Sequence, residues 1–235
     1  MDEVHKLGEN DHRRLGQELD LFVFSDLIGP GLPLWTTRGT VLRNELDKFV
    51  QYLRDKHSDE KGFQSVTIPH ITKKELYQKS GHWTKFSEDL FRISSREGHE
   101  FAMKPMNCPH HTQIYASRPR SYRDLPIRYQ ETTTNYRDEQ TGELNGLLRT
   151  RAFTQDDAHV FCRKEDIFHE VYQIWEMVEE FYGAFNFSKS LRFSTRDKNT
   201  PDAYAGSNEQ WEQAESELQK VIKKQPHMNV EEDGA

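Results

Sequence analysis

The segment Arg151-Ala-Phe-Thr-Gln-Asp-Asp-Ala-His-Val-Phe161 constrains this chain more than any other stretch. It reads as a strand, and on a strand Phe153, Gln155, Asp157 and His159 project from one face. Only Phe153 among them is apolar. A face carrying Gln, Asp and His inside an otherwise core-like strand is costly unless it lines a site. The plain alternative is the solvent face of an edge strand. Just upstream stand Arg137-Asp-Glu139, a glycine-containing loop from Thr141 to Gly146, and Arg149. A strand, a mobile loop and a return strand would gather Arg137, Arg149 and Phe153. Two guanidiniums and a ring suit a nucleotide, the forks on phosphate oxygens and the ring against the base.

A second stretch, Met103-Lys-Pro-Met-Asn-Cys-Pro-His-His111, places a cysteine beside prolines and histidines. On a rigid loop such a thiol is a candidate metal ligand; a small buried thiol in a turn is the simpler reading.

The remaining pattern is mixed. Leu15 and Leu19 suit a short amphipathic helix over residues 11–20, and Gly29-Pro-Gly-Leu-Pro33 is a turn cluster. Val41, Leu42, Leu46, Phe49, Val50 and Leu53 predict a long helix from Thr40 to Lys56, stopped by Gly62. Residues 63–71, with Val66, Thr67 and Ile68, read as one strand with Pro69 near its end. Strands are predicted over 100–104, 127–134 and 151–161. Helices are predicted over 166–185 and 208–223. The tail from His227 to Ala235 reads as a loose terminus or a chain that stops mid-fold. Strands and helices do not alternate regularly, and no glycine-rich phosphate loop follows a strand. That disfavours a Rossmann or P-loop domain and favours an α+β fold with an antiparallel sheet flanked by helices.

Composition narrows the class without naming a function. In 235 residues, 34% are hydrophobic and 30% charged, polar for a globular domain, yet 14 Phe, 9 Tyr and 4 Trp can build a core. No apolar run approaches the about 20 residues that span a bilayer, and the charged start is not a signal peptide. Cys108 and Cys162 then read as reduced thiols in a cytoplasmic protein. A net charge of −7 leaves any RNA contact to local basic patches.

Arg137-x-Glu139, a loop, then Arg149-x-x-x-Phe153-x-x-x-Asp157 resembles motif 2 of the class II aminoacyl-tRNA synthetases. The helix from Thr40 with the strand Gly62-Phe-Gln-Ser-Val-Thr-Ile-Pro69 resembles motif 1, whose helix and proline form a homodimer interface. Within the class, Lys104-Pro-Met-Asn-Cys108-Pro, Ser121-Tyr-Arg-Asp-Leu-Pro126, Phe153-Thr-Gln-Asp-Asp-Ala-His159, Ser80-Gly-His-Trp83 and Asp11-His-Arg-Arg-Leu-Gly resemble the threonyl-tRNA synthetase family. The resemblance covers nearly the whole chain. Prolyl and seryl enzymes fit less well, since neither needs a zinc built from Cys108 and the Gln155–His159 run.

The resemblance implies roles. Arg137 would grip the ATP α-phosphate and the amino-acid carboxylate, and Glu139 the adenine amino group. Phe153 would stack on adenine and Arg149 hold the triphosphate. Cys108 and His159 are similar to two of three ligands of a zinc that binds the threonine amino and hydroxyl groups. Gln155 and Asp157 would complete threonine recognition, with Met106 beside the substrate. Implied partners are L-threonine, ATP with Mg2+, tRNA(Thr) and a second copy, joined through about Thr40–Ile71.

Three stretches depart from the family pattern: His110 and Ala152 replace usual glycines, and Glu131-Thr-Thr-Thr-Asn-Tyr-Arg137 differs from the common form. The expected layout is a leading helix and linker over residues 1–25 and a partial catalytic domain over 26–235, cut before motif 3 and before the third zinc ligand. His227 is a poor substitute ligand by position. The expectation is a chain with little activity alone; a non-catalytic dimerisation or interaction fragment is the alternative.

Overall fold

The computed structural model describes residues 8–197, 199–200, 204–224 and 230–234, the last as backbone. These residues form two compact units. The first draws on Met1–Val50, Gln64–Pro119 and Tyr129–His159; the second on Gln51–Phe63, Arg120–Arg128 and Val160–Ala235. Among the described residues no helix is long and apolar enough to cross a membrane.

The first unit opens with helix α1, His12–Glu18, where the Asp11 side chain accepts from the Arg13 amide and satisfies an orphan helix donor. Gly16 leaves room for the Phe22 ring of strand β1, Phe22–Val23, which pairs antiparallel with β2, Leu34–Trp35. Helix α2, Thr37–His57, starts three residues before the predicted Thr40. Strands β4 (Ile71–Lys73), β6 (Glu100–Met103) and β5 (Arg92–Ser94) make an antiparallel sheet in that spatial order. Helices α3, Lys74–Lys79, and α4, His82–Lys85, follow β4. Tyr77, Leu90 and Ala102 are buried together, with the partly buried Trp83 packed against them.

The single strand predicted over 63–71 is divided. β3, Gln64–Ser65, pairs parallel with β7, Ile127–Tyr136, whereas Ile71 already belongs to the β4 sheet. Pro69 lacks the amide a continuous ladder would need, so the chain changes sheets there. β7 is flanked on its other side by β8, Ala152–Phe161. Helix α5, Cys108–Ala116, occupies what was predicted as a loop. Pro109 sits in its first turn, where a missing amide costs nothing.

In the second unit α6, Ile167–Ala184, and α7, Asn208–Lys223, match the predicted helices closely. Ser207 and Gln210 form a capping box that sets the start of α7. Leu53, Ile127, Phe193 and Val221 are buried. β9, Leu191–Thr195, pairs parallel with β10, Val230–Gly234, so the tail, expected to be loose or to stop mid-fold, carries a strand. Arg128 is buried against Glu170, its Nε and Nη2 donating to the two Glu170 oxygens at 2.6 Å, and it also donates to the exposed Asp59. The fold is α+β as predicted, with parallel pairings at β3–β7 and β9–β10 beside the antiparallel ones.

Candidate active site

The site lies in the first unit, where α5 docks on β8. Four residues of helix rise about 6 Å, and two residues of strand about 6.7 Å. The first turn of α5 therefore matches alternate residues on one face of β8. Asn107 Nδ2 donates to Asp157 Oδ2 at 2.8 Å, and His111 Nδ1 lies 2.8 Å from His159 Nδ1. Cys108 stands between these contacts in sequence, half-buried, and both burial and the Asp157 carboxylate push its thiol pKa up.

Behind this face the supporting layer is polar. Lys104 is fully buried, its backbone fixed by a bond from its amide to His70 O and another to its carbonyl from the Tyr136 amide. Its Nζ donates to Asn107 Oδ1 at 3.1 Å and to Thr133 Oγ1 at 2.8 Å, with Glu131 Oε2 at 4.0 Å. Burial pulls the Lys104 pKa down, opposed by the charges of Glu131 and Asp157. Asn135 Nδ2 donates to Gln155 Oε1 at 2.6 Å. Burial, above all, pulls the pKa of His110 and of His111 down to about 4, so both are neutral near pH 7.

At the other end of β8 lies the expected nucleotide end. The Arg137 guanidinium sits 4.9 Å from the centre of the Phe153 ring. Arg149 is not on that ring: its Nε donates to Glu139 Oε2 at 2.7 Å and its Nη2 to Glu143 Oε2 at 2.9 Å. Glu139 is buried and Arg149 half exposed. The loop before Arg149 is braced from α1, since Leu147 N donates to His12 Nε2 at 2.9 Å. Gly146 has φ of 52°, and a Cβ there would come 2.2 Å from His12 Nε2, so the turn needs glycine.

The structure thus places Phe153 under Arg137, Glu139 with Arg149, Gln155 with Asn135, Asp157 with Asn107 and His159 with His111. Met106 meets His82 Nε2 through its sulfur at 2.6 Å. His110, the replacement for a usual glycine, bonds Thr72 and sets its ring edge to Tyr77 at 6.2 Å between centroids. It is committed to that packing and not to His159. Sequence reasoning missed Lys104, Asn107, His111 and Asn135. One signal was present: Glu131, Thr133 and Asn135 share parity on β7, and all three are buried polar residues.

Among the described residues no group of three His, Cys, Asp or Glu could hold a metal ion. Cys108 and His159 alone fall short of the three protein ligands that a catalytic zinc takes. His227 lies outside the described residues.

Comparison with known proteins agrees with this architecture. The sequence model described as "tRNA synthetase class II core domain (G, H, P, S and T)" matches residues 91–225. The chain is 46% identical over 218 residues to a threonine–tRNA ligase of Flavobacterium psychrophilum, covering 92% of this chain and 33% of that protein. It is 48% identical over 215 residues to one of Porphyromonas gingivalis, covering 90% and 32%. It spans about a third of the length of these curated relatives. Among solved structures, one described as the RNA binding domain of threonyl-tRNA synthetase from Cryptosporidium parvum Iowa II superposes with a TM-score of 0.87. Identity is 36%, over 97% of this chain and 55% of that one. A putative threonyl-tRNA synthetase from Aeropyrum pernix gives 0.81 at 29% identity, over 95% and 52%.

Proposed function

This chain belongs to the family of class II tRNA synthetase core domains, and we propose that its reaction is ATP-dependent activation of L-threonine for transfer to tRNA(Thr). One observation carries the reading. Along a single face of β8 a ring under a guanidinium is followed, four residues on, by a carboxylate held at one oxygen. Four strand residues span about 13 Å, room for an adenosine at one end and an amino-acid side chain at the other.

In this reading Phe153 takes the adenine and Arg137 lies where the α-phosphate and the amino-acid carboxylate meet. Attack of that carboxylate oxygen on the α-phosphorus expels pyrophosphate. The Arg137 guanidinium, already in place, then stabilises the charge that develops. Arg149 and Glu139 must part for Arg149 to reach the triphosphate and Glu139 the adenine amino group. At the far end Asn107 occupies Asp157 Oδ2, leaving Oδ1 to accept from the threonine hydroxyl. Asn135 occupies Gln155 Oε1, leaving the Gln155 amide hydrogens to donate to it. Met106 packs beside the substrate. A hydroxyl satisfies both groups and a methyl neither, so valine leaves them unpaired.

Zinc at Cys108 and His159, with a further donor outside the described residues, is part of the proposal, as are Mg2+ with ATP and a cytoplasmic setting. A homodimer through Thr40–Ile71 is supported by the exposed Val41 and Leu42 of α2. The test is ATP–pyrophosphate exchange and calorimetric binding on the purified chain, with zinc content measured on the same sample. Threonine binding or exchange without a valine response supports the reading. Neither binding nor exchange with threonine, in a chain that still dimerises, favours the interaction fragment instead.

A further inference from the structure

Lys104 is a fully buried lysine that the activation chemistry does not use. Burying an ammonium is costly, and a cluster that does so needs a reason. Its Nζ has two close partners, Asn107 Oδ1 and Thr133 Oγ1, with Glu131 4.0 Å away. An ammonium has three donors and no acceptor. Asn107 must therefore turn its carbonyl oxygen to Lys104 and its NH2 group the other way. That NH2 donates to Asp157 Oδ2. The orientation of this carboxamide, ambiguous by shape alone, is dictated by the lysine.

We propose that Lys104 and Asn107 are positioning residues that decide which oxygen of Asp157 is offered to the substrate hydroxyl. The proposal rests on the reading of Asp157 as the group that meets that hydroxyl. Without Lys104 the Asn107 carboxamide loses the anchor on its oxygen and keeps only Asp157 to hold it. An amide tethered at one end alone moves with the carboxylate it should position. Asp157 would lose its fixed position and cease to be a fixed acceptor. Hydroxyl selectivity in this chain then depends on a lysine wholly shielded from solvent. Thr133, in the stretch that departs from the common family form, supplies the second acceptor that keeps the ammonium in place.

Two variants test this in the full chain, Lys104→Met and the nearly isosteric Asn107→Asp. The second retains a partner for Lys104 but removes the donor to Asp157. Calorimetry is expected to show Asn107→Asp binding threonine about tenfold more weakly, the scale of one lost hydrogen bond to a charged group. Valine and ATP binding should stay unchanged, narrowing the threonine-to-valine ratio. An unchanged ratio, or equal losses for threonine and ATP, would overturn the proposal in favour of a purely structural cluster. Hydrogen exchange of the Asn107 side-chain NH2, read by nitrogen-15 NMR, needs no substrate. Protection in the parent chain that drops about tenfold in Lys104→Met supports the relay, and protection unchanged by the substitution sinks it. If the parent chain does not prefer threonine, the threonine reading fails, and the NH2 exchange still decides the relay. If Lys104→Met does not fold, Asn107→Asp carries the test alone.

Discussion

The Nδ1 atoms of His111 and His159 face each other at 2.8 Å, with the two rings nearly perpendicular at 89°. One nitrogen donates and the other accepts. His111 is fully buried and, among the described residues, its Nε2 has no partner, so the contact at Nδ1 is what anchors the ring. Replacing His111 with Ala leaves His159 unpaired and a cavity beside it. Urea denaturation is expected to show a loss of about 2–4 kcal/mol; a variant as stable as the parent would mean the contact contributes nothing.

Phe153 offers the ring at the Arg137 end of the site face of β8. Its replacement by Ala removes a stacking surface worth about 1–3 kcal/mol for a nucleobase. Calorimetry should show weaker ATP binding with threonine binding unaltered. Equal weakening of both ligands would place the ring elsewhere in the mechanism.

The loop between β7 and β8 hangs on Gly146 and His12. Gly146→Ala puts a side chain at φ of 52° and against His12 Nε2, a backbone cost of about 1–2 kcal/mol before the clash is counted. The expected result is faster amide exchange at Leu147 and Arg149 and weaker ATP binding. His12→Ala should reproduce the first effect alone, since it removes the acceptor for Leu147 N without straining the turn.

In the second unit Arg128 holds Asp59 and Glu170 together. Arg128→Met strands the buried Glu170 carboxylate, and loss of one partner of such a pair costs roughly 3–5 kcal/mol, readable from the urea midpoint. The pair also sets a pH dependence. The Arg128 guanidinium holds the Asp59 pKa below its ordinary 3.8. Between the folded and unfolded values the unfolded chain binds the extra proton. Stability from Asp59 is therefore present above pH 3.8 and drains away as pH falls through the lower folded value. Asp59→Asn should flatten that part of the acid-unfolding curve, and an unchanged curve would remove Asp59 from the account.

Much of the chain is determined locally. The capping box at Ser207 and Gln210 with the apolar face of Trp211, Leu218 and Ile222 sets α7 at Asn208–Lys223 as predicted. The parity of Phe153, Gln155, Asp157 and His159 sets one face of β8 whatever the partner of that face. Periodicity is a property of neighbours in sequence, so elements and faces are legible from it.

What the sequence alone did not determine is which groups meet across those faces. The break at Pro69 sends β3 to β7 and β4 to β6, a choice of partners that one run of β-branched residues does not contain. Cys108 opens a helix rather than riding a loop, because only docking on β8 gives Asn107 and His111 their partners. Lys104 looks like a surface residue in the sequence. It becomes the buried donor that orients Asn107 only when α5, β7 and β8 converge. Residues far apart in the chain satisfy one another's hydrogen bonds there, and that pairing exists in three dimensions alone.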